Sequence, residues 1–545
     1  MTDSLVPVRQ NHWRDAAVPL PADWTPHRTV SVVIPAYNPG PVLDLTLASL
    51  AAQDYPQDLF DVVVVDDGGN DAYELPAIRP TRTRLVRPET GWGRANACHT
   101  GATSSAGEII VWLDSDMVVP RDHITAHVSW YDRVADVVTK GDITFVDDWA
   151  VSPAEVFDAT RADELATLFP TQDDALQWVE KVYEETDDLN TDRANVFTIY
   201  TGASASVSRE MYDAAGGMDT SLRLGEDSEL AYRLAQQGAV FIPARNAPCF
   251  HLGRTTTQVR DEQVRHHDSP YFAQRAPLIG GRRTTSGRIW SVPKVRAVVS
   301  VDTSTARLAR STVDRLLCGL EEDIHVDLVG PWSTLHDERR RVLDDPTTEL
   351  YLLREWFTSE PRVSLVEEAP ATVTPTPFLL EVPVVAGFNI VSLHRLLHMV
   401  ERRRLGALRV PLESPSGPVS VDLWRVSALN RVRRHHPGGG LAGRELQKAV
   451  DEVWGVWWGT PKEFKIFNLS TRSTFPEKLI RSRGAERKAL ELRREAAKTA
   501  KLRKELLAIE RKLAKAGPRP GVKGALKDLR QDVRRLAKAV VRRLR

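Results

Sequence analysis

Two carboxylates, Asp114 and Asp116, flank a single serine, Ser115, inside the apolar run VWLDSDMVV at 111–119. Acids spaced this way at the end of a strand can hold a hard divalent ion such as Mg2+ or Mn2+, which commonly shares a phosphate-bearing substrate. Alone the triplet is a weak signal, because acidic residues are frequent in the turns that follow strands. A second acid pair, Asp66-Asp67, closes the run FDVVVVDD, and a third, Glu226-Asp227, opens GEDSELAYRLAQQG. In the first turn of a helix such acids cap free N–H groups and meet the positive end of the dipole. His251, in PCFHLG, follows the short apolar strand AVFIP, a setting in which a lone histidine is commonly a hydrogen-bonded structural residue.

The elements that must carry these groups are legible from hydrophobic period. From Val30 the chain gives a strand, VSVVIP, then a turn, AYNPGP. A helical pattern with Val42, Leu43, Leu47 and Leu50 on one face follows, then the strand FDVVVVDD. A Gly-rich loop, TGWGRANACHTG, precedes a third apolar segment, EIIVWLD. Strands alternating with helices predict parallel βαβ units, whose ligands bind at the carboxyl ends of the strands. Asp66, Asp67, Asp114 and Asp116 all fall there. Residues 150–195, rich in acids and helix formers, read as an insertion or lid.

Taken in order, VSVVIPAYN, VVVVDDGG, the loop with Arg94, GEIIVWLDSDMVVP, YTGASASVSREMYDAAGGMD and GEDSELAYRLAQQG resemble glycosyltransferase family 2, nucleotide-sugar enzymes of the GT-A fold. The resemblance covers residues 28–255. It implies that Pro35, Ala36 and Tyr37 pack against the base and ribose of a nucleotide sugar, and that Asp67 accepts from the imide N–H of a uracil. It further implies that Arg94 faces the diphosphate, where a planar guanidinium suits phosphate. Asp114, Ser115 and Asp116 would be the DxD motif, with Asp116 the more direct metal ligand and Asp114 nearer the sugar. His251 would be a further ligand to Mn2+ or Mg2+. Asp227, with Glu226 beside it, would be the general base that takes the proton of an acceptor hydroxyl. One motif departs: where many relatives read Ala-Arg-Asn-x-Gly, this chain has Ala97-Cys98-His99-Thr100-Gly101. Arg94 would then substitute for the missing arginine and His99 for the asparagine.

The implied activity is an inverting, metal-dependent hexosyl transfer from a nucleotide-diphosphate sugar, with UDP favoured, to a cell-envelope or capsular glycan, lipid-linked or free. A silent sugar-nucleotide or glycan-binding scaffold of the same fold is the alternative, and a retaining enzyme with no need of a base at Asp227 is another.

The remainder is organised around an echo of the first half. VVSVDT, LLCGL, IHVDLVG, RVSLVEEAP and PFLLEVPVVAGFNIVSLHRLLHMV repeat the earlier order, so 291–480 is expected to be a degenerate GT-A-like α/β domain. Its counterpart of Asp114-Ser115-Asp116 is expected at Glu381-Val382-Pro383, and its counterpart of the Glu226-Asp227 helix at GRELQKAV. The division is therefore an extension at 1–27, a catalytic domain at 28–290, the degenerate domain at 291–480 and a basic tail at 481–545. Formal charge is balanced over the chain, 73 Lys/Arg against 73 Asp/Glu, yet the tail holds 23 against 7. Three readings of that tail stand: helices on an anionic membrane face, a short coiled coil seamed by Leu502, Leu506, Ile509 and Leu513, or a solvated extension. The membrane is preferred, at the cytoplasmic face, and a homo-oligomer is allowed; no motif points to nucleic acid. The start carries no apolar signal segment and no run is long enough for a membrane-spanning helix. Three distant cysteines, Cys98, Cys249 and Cys318, indicate neither disulfides nor a zinc cluster.

Overall fold

The computed structural model describes residues 5–471, apart from 70–72, 170–176, 281, 284–286, 415–416 and 439, together with 484, 486–488 and 490–491. Apart from the helical residues 484, 486–488 and 490–491, the tail at 481–545 with its expected Leu502–Leu513 seam lies outside the described residues. Among the described residues no helix is long and apolar enough to cross a membrane.

The first sheet is built from β1 (Val30–Ala36), β2 (Phe60–Asp66), β3 (Thr83–Val86), β4 (Ile109–Leu113), β5 (Met117–Val118), β6 (Val137–Val146), β7 (Ser204–Ser208) and β8 (Val240–Leu252), in the order β3-β2-β1-β4-β7-β6-β8-β5. β1 to β4 run parallel, and β7 is antiparallel to both β4 and β6. Parallel strands are covered on both faces, which is why these segments read as unbroken apolar runs. The faces separate with period two. Val32, Ile34, Val62, Val64 and Val111 pack with Leu43, Leu47 and Leu50 of the helix Val42–Ala51. Val33, Val63, Val65, Ile110 and Trp112 pack with Ala97, Cys98 and Ala102 of the helix Arg94–Thr103. Each valine so buried contributes roughly 1.5–3 kcal/mol. The second helix lies so close that a Cβ on Gly101 would stand 2.3 Å from Val33 Cγ1, so only glycine fits there. This close seating fixes the start of that helix, and hence Arg94, at the carboxyl ends of the strands.

The second sheet is built from β9 (Val295–Ser300), β10 (Ile324–Val329), β11 (Val363–Val366), β12 (Phe378–Glu381), β14 (Ala407–Leu412), β15 (Val419–Arg425) and β16 (Val456–Trp458), in the order β11-β10-β9-β12-β15-β14-β16. A small ribbon joins β13 (Ala386–Phe388) to β17 (Ile466–Asn468). Order and direction repeat the first sheet strand for strand, from β11 as the copy of β3 to β16 and β17 as the two halves of β8. The register makes the copy residue-specific. Val30 lies opposite Phe60 and Ile109, and Val295 lies opposite Ile324 and Phe378.

That register corrects one expectation. Glu381 falls on the position of Trp112, inside the ladder, and the match of Asp114-Ser115-Asp116 is Pro383-Val384-Val385, two residues further on. Three bonds outside the ladders agree. Met117 N donates to Asp114 O at 3.3 Å as Ala386 N does to Pro383 O at 2.9 Å, and Leu252 N donates to Asp116 O at 2.9 Å as Leu469 N does to Val385 O at 2.8 Å. Thr46 Oγ1 donates to Ser115 O at 2.9 Å, and Thr312 Oγ1 to Val384 O at 2.7 Å. By the same count His251 matches Asn468 and Asp67 matches Pro331.

Where the chain inserts 147–203 between β6 and β7, the second domain has only the six residues 413–418 between β14 and β15. The two domains are joined by buried polar contacts. Arg431, wholly buried, donates to the carbonyls of Gly238 at 2.7 Å, Ala239 at 3.1 Å, Val8 at 2.6 Å and Gln10. Asp136 accepts from Arg434 at 3.0 Å and from His435 at 2.7 Å. The N-terminal segment is held between them, with Asn11 Nδ2 on Leu189 O and Phe241 O and Gln10 Nε2 on Trp454 O.

Candidate active site

At the end of β1, the Ala36 carbonyl accepts from Asp67 N at 2.9 Å, which turns the chain after β2 toward the cleft. Tyr37 stands 67% exposed at the rim. The two acids after β2 divide. Asp66 accepts from Gly68 N and from Arg87 Nε at 2.9 Å, as a turn residue would. Asp67 accepts from Gly93 N through both oxygens, at 2.8 and 2.7 Å, and partial burial raises its pKa.

Arg94 follows Gly93 and opens its helix. Its Nε and Nη2 lie 3.0 and 2.8 Å from Asp114 Oδ1, and Nη1 lies 2.5 Å from Glu226 Oε1. Burial alone would lower its pKa, but Asp114, Glu226 and Asp227 around it hold the guanidinium charged. Cys98 sits one helical turn on, at the position where the resemblance leads one to expect arginine. Its thiol is buried and pushed up to about 12 by desolvation. Residues four apart share a helix face, so Arg94 can serve the same cleft from a turn earlier. His99 does not join them. Its Nδ1 lies 2.9 Å from Tyr212 Oη, and burial lowers its pKa.

The acids of the triplet diverge as β4 ends. Asp114 takes the arginine, while Asp116 faces β8, where pairing of Met117 with His251 brings the imidazole over. His251 Nε2 lies 3.6 Å from Asp116 Oδ1, and Nδ1 lies 3.1 Å from Gly253 O. A ring that donates from Nδ1 to a carbonyl keeps its Nε2 lone pair for a metal. One ligand atom each from Asp114, Asp116 and His251 lie within 4.8 Å of one another. Two carboxylates and an oriented imidazole are a donor set that fits Mn2+ well and Mg2+ less well. Desolvation raises the pKa of Asp116, with Asp114 adding to it and His251 opposing it; a bound cation would reverse that penalty. Ser115 contributes its carbonyl to Thr46, which with Ser49 is one of two buried hydroxyls on a helix otherwise lined by leucine and alanine, and this bond pins the turn.

Across the cleft, Gly225 takes a left-handed conformation, φ 74°, and starts the helix Glu226–Gln236. Glu226 is buried on Arg94, and its pKa is raised chiefly by that burial. Asp227 accepts from Gly202 N at 3.2 Å and from Ser228 N at 2.6 Å. The structure thus gathers Arg94, Asp114, Glu226 and Asp227 in one cluster, with Asp116 and His251 beside it.

Residues 31–211 match the family model for glycosyl transferase family 2. This domain belongs to that family. The glycosyltransferase domain has the mixed α/β sheet expected of it, with its acids at the strand ends. Chondroitin synthase of Escherichia coli is 22% identical over 369 residues, 62% of this chain and 50% of the relative. An N-acetylglucosaminyltransferase of Bradyrhizobium elkanii is 33% identical over 127 residues, 22% of this chain and 65% of the relative. Among solved structures, a mannosyltransferase of Pyrobaculum calidifontis in complex with GDP-Man and Mn2+ is 23% identical, with a TM-score of 0.31 over 48% of this chain and 68% of the other. The chain spans half or less of the chondroitin synthases it matches.

Proposed function

We propose that the first domain transfers a sugar, with inversion, from a nucleotide-diphosphate donor to a hydroxyl of a cell-envelope or capsular glycan. The observation that carries this reading is the Asp114, Asp116 and His251 cluster together with a helix that holds Asp227 in its first turn. The relatives named as synthases of chondroitin and of cellulose support a polysaccharide acceptor. A uracil base is the donor preference, since Asp67 is an acceptor at the cleft edge.

Asp227 takes the proton of the acceptor hydroxyl as the oxygen forms its bond to the anomeric carbon. The bond from that carbon to the diphosphate oxygen breaks, and the nucleoside diphosphate leaves with the electron pair. A divalent ion held by Asp114, Asp116 and His251 would supply Lewis-acid stabilisation of the leaving diphosphate. Arg94 adds a fixed positive charge on the same side, and Glu226 acts through it as a positioning residue. Gly202 N–H holds the Asp227 carboxylate in place.

The second domain lacks each of these groups. Pro331, Pro383, Val385 and Asn468 stand where Asp67, Asp114, Asp116 and His251 stand in the first, and its corresponding helix opens on Gly443-Arg444. The scaffold reading therefore suits this half of the chain.

Asp227→Asn is the test. Calorimetry with nucleoside diphosphate and Mn2+ should give nearly the wild-type affinity while transfer is abolished. Wild-type transfer by this variant would refute the base assignment.

A further inference from the structure

Trp92 is 62% exposed, although exposure of so large an aromatic surface adds nothing to folding. It sits between two glycines that both hold left-handed backbone, Gly91 at φ 78° and Gly93 at φ 97°. A side chain at either position would be strained, so the loop is built to project this one residue. The ring is also held. Arg223 stacks on it, with Cζ 4.2 Å from the ring centre, and Arg223 Nη1 donates to Trp92 O at 2.6 Å and to Thr220 O at 3.0 Å.

The place is specific. On one side Gly93 N binds both oxygens of Asp67, and the next residue, Arg94, reaches Asp114 and Glu226. On the other side Arg223 lies four residues before Asp227, and a Cβ on Gly93 would touch the Arg223 side chain at 3.4 Å. The indole thus joins the donor-side loop to the loop that leads into the base helix. Since the guanidinium already lies on the ring and much of the ring is still open to solvent, the free surface faces outward at the mouth.

We infer that Trp92, positioned by Arg223, is the platform on which the acceptor's pyranose ring stacks. This rests on the transferase reading above. The axial C–H groups of a pyranose form an apolar patch with a slight positive charge, which matches the negative face of an indole. Its hydroxyls remain outward, so that one can turn toward Asp227. A nucleobase would also stack on an indole; Trp92 is tied through Gly93 to Asp67 on one side and through Arg223 to the loop before the base helix on the other, and UDP affinity of the variants below separates the two ligands.

The test uses the whole chain with Mn2+ and UDP, and as probes the methyl pyranosides of glucose, galactose and glucuronate, read by saturation-transfer NMR. At least one pyranoside should show transfer to its ring protons. Trp92→Ala should weaken it about 3- to 10-fold, and Trp92→Phe should restore most of the loss. UDP affinity, read by calorimetry on the same variants, should stay within about twofold. Three results would overturn the inference: no pyranoside bound by the wild type at tens of millimolar, binding unaffected in Trp92→Ala, or a loss that appears in UDP affinity instead. Failure of UDP and Mn2+ to bind the wild type would overturn the transferase reading itself, which separates the two.

Discussion

Replacing Arg94 with methionine keeps the aliphatic stem and removes the charge that three acids share. Glu226 is then left buried, 6% exposed at its side chain, with its partner at 2.5 Å gone, and Asp114 loses two hydrogen bonds. Breaking a buried ion pair by removing one member costs about 3–5 kcal/mol. The lower end applies here, because Arg94 and Asp114 each keep about a quarter of their side chains in solvent. For a domain of this size about 3 kcal/mol lowers the melting temperature by roughly 6–12 °C. The pH dependence follows from Glu226. Its pKa is raised in the folded protein, so its ionised form disfavours the fold and its protonation favours it. Without Arg94 that rise is larger. The penalty is therefore full at alkaline pH and falls as pH drops through the folded pKa toward the unfolded one. Scanning calorimetry of variant and wild type at pH 8 and pH 5 should show the larger gap at pH 8. A gap under about 2 °C at pH 8, or one that widens at pH 5, would refute the claim that Arg94 neutralises a buried cluster.

Asp116→Ala should remove the Mn2+-dependent part of UDP affinity, leaving equal calorimetric values with and without the ion; a preserved Mn2+ effect would count against the ligand set. Asp67→Ala should narrow the preference for UDP over GDP in the same measurement, and an unchanged preference would move base recognition elsewhere. Thr46→Val and Thr312→Val delete matching hydrogen bonds, and each should cost about 1 kcal/mol of stability by denaturant titration. Only the first should weaken Mn2+ affinity, because only there does the pinned turn carry acids.

The sequence was informative where chemistry coincides with a strand end. Asp67, Asp114, Asp116 and His251 stand at the cleft because apolar runs of fixed length deliver them there, and Asp227 because its helix opens after the Gly225 turn. It was uninformative for the partner that each group selects. His99 fills a motif position yet turns to Tyr212, since the rotation of a helix about its axis is fixed by tertiary packing, here the close seat of Gly101 on Val33. The repeat was legible, but its alignment at the acid triplet was two residues out. Side chains alternate with period two, so a shift of two leaves the inward and outward faces unchanged and hydrophobicity cannot detect it. Only the ladder partners and the Thr46 and Thr312 bonds distinguish the two alignments. The loop bonds of Gly93 to Asp67 and Gly202 to Asp227 have no sequence signal at all, being made by backbone N–H groups.

The seam around Arg431 bears on how the enzyme can be divided. Its guanidinium closes off carbonyls from the leader segment and from the strand-entry turn of the glycosyltransferase half, all away from water. An excised fragment ending near residue 290 would leave those oxygens, and Asp136, without donors, at about 1–3 kcal/mol for each that water fails to reach. The degenerate half thus braces the glycosyltransferase half through buried contacts, and a fragment ending near residue 290 is expected to melt at a lower temperature than the whole chain.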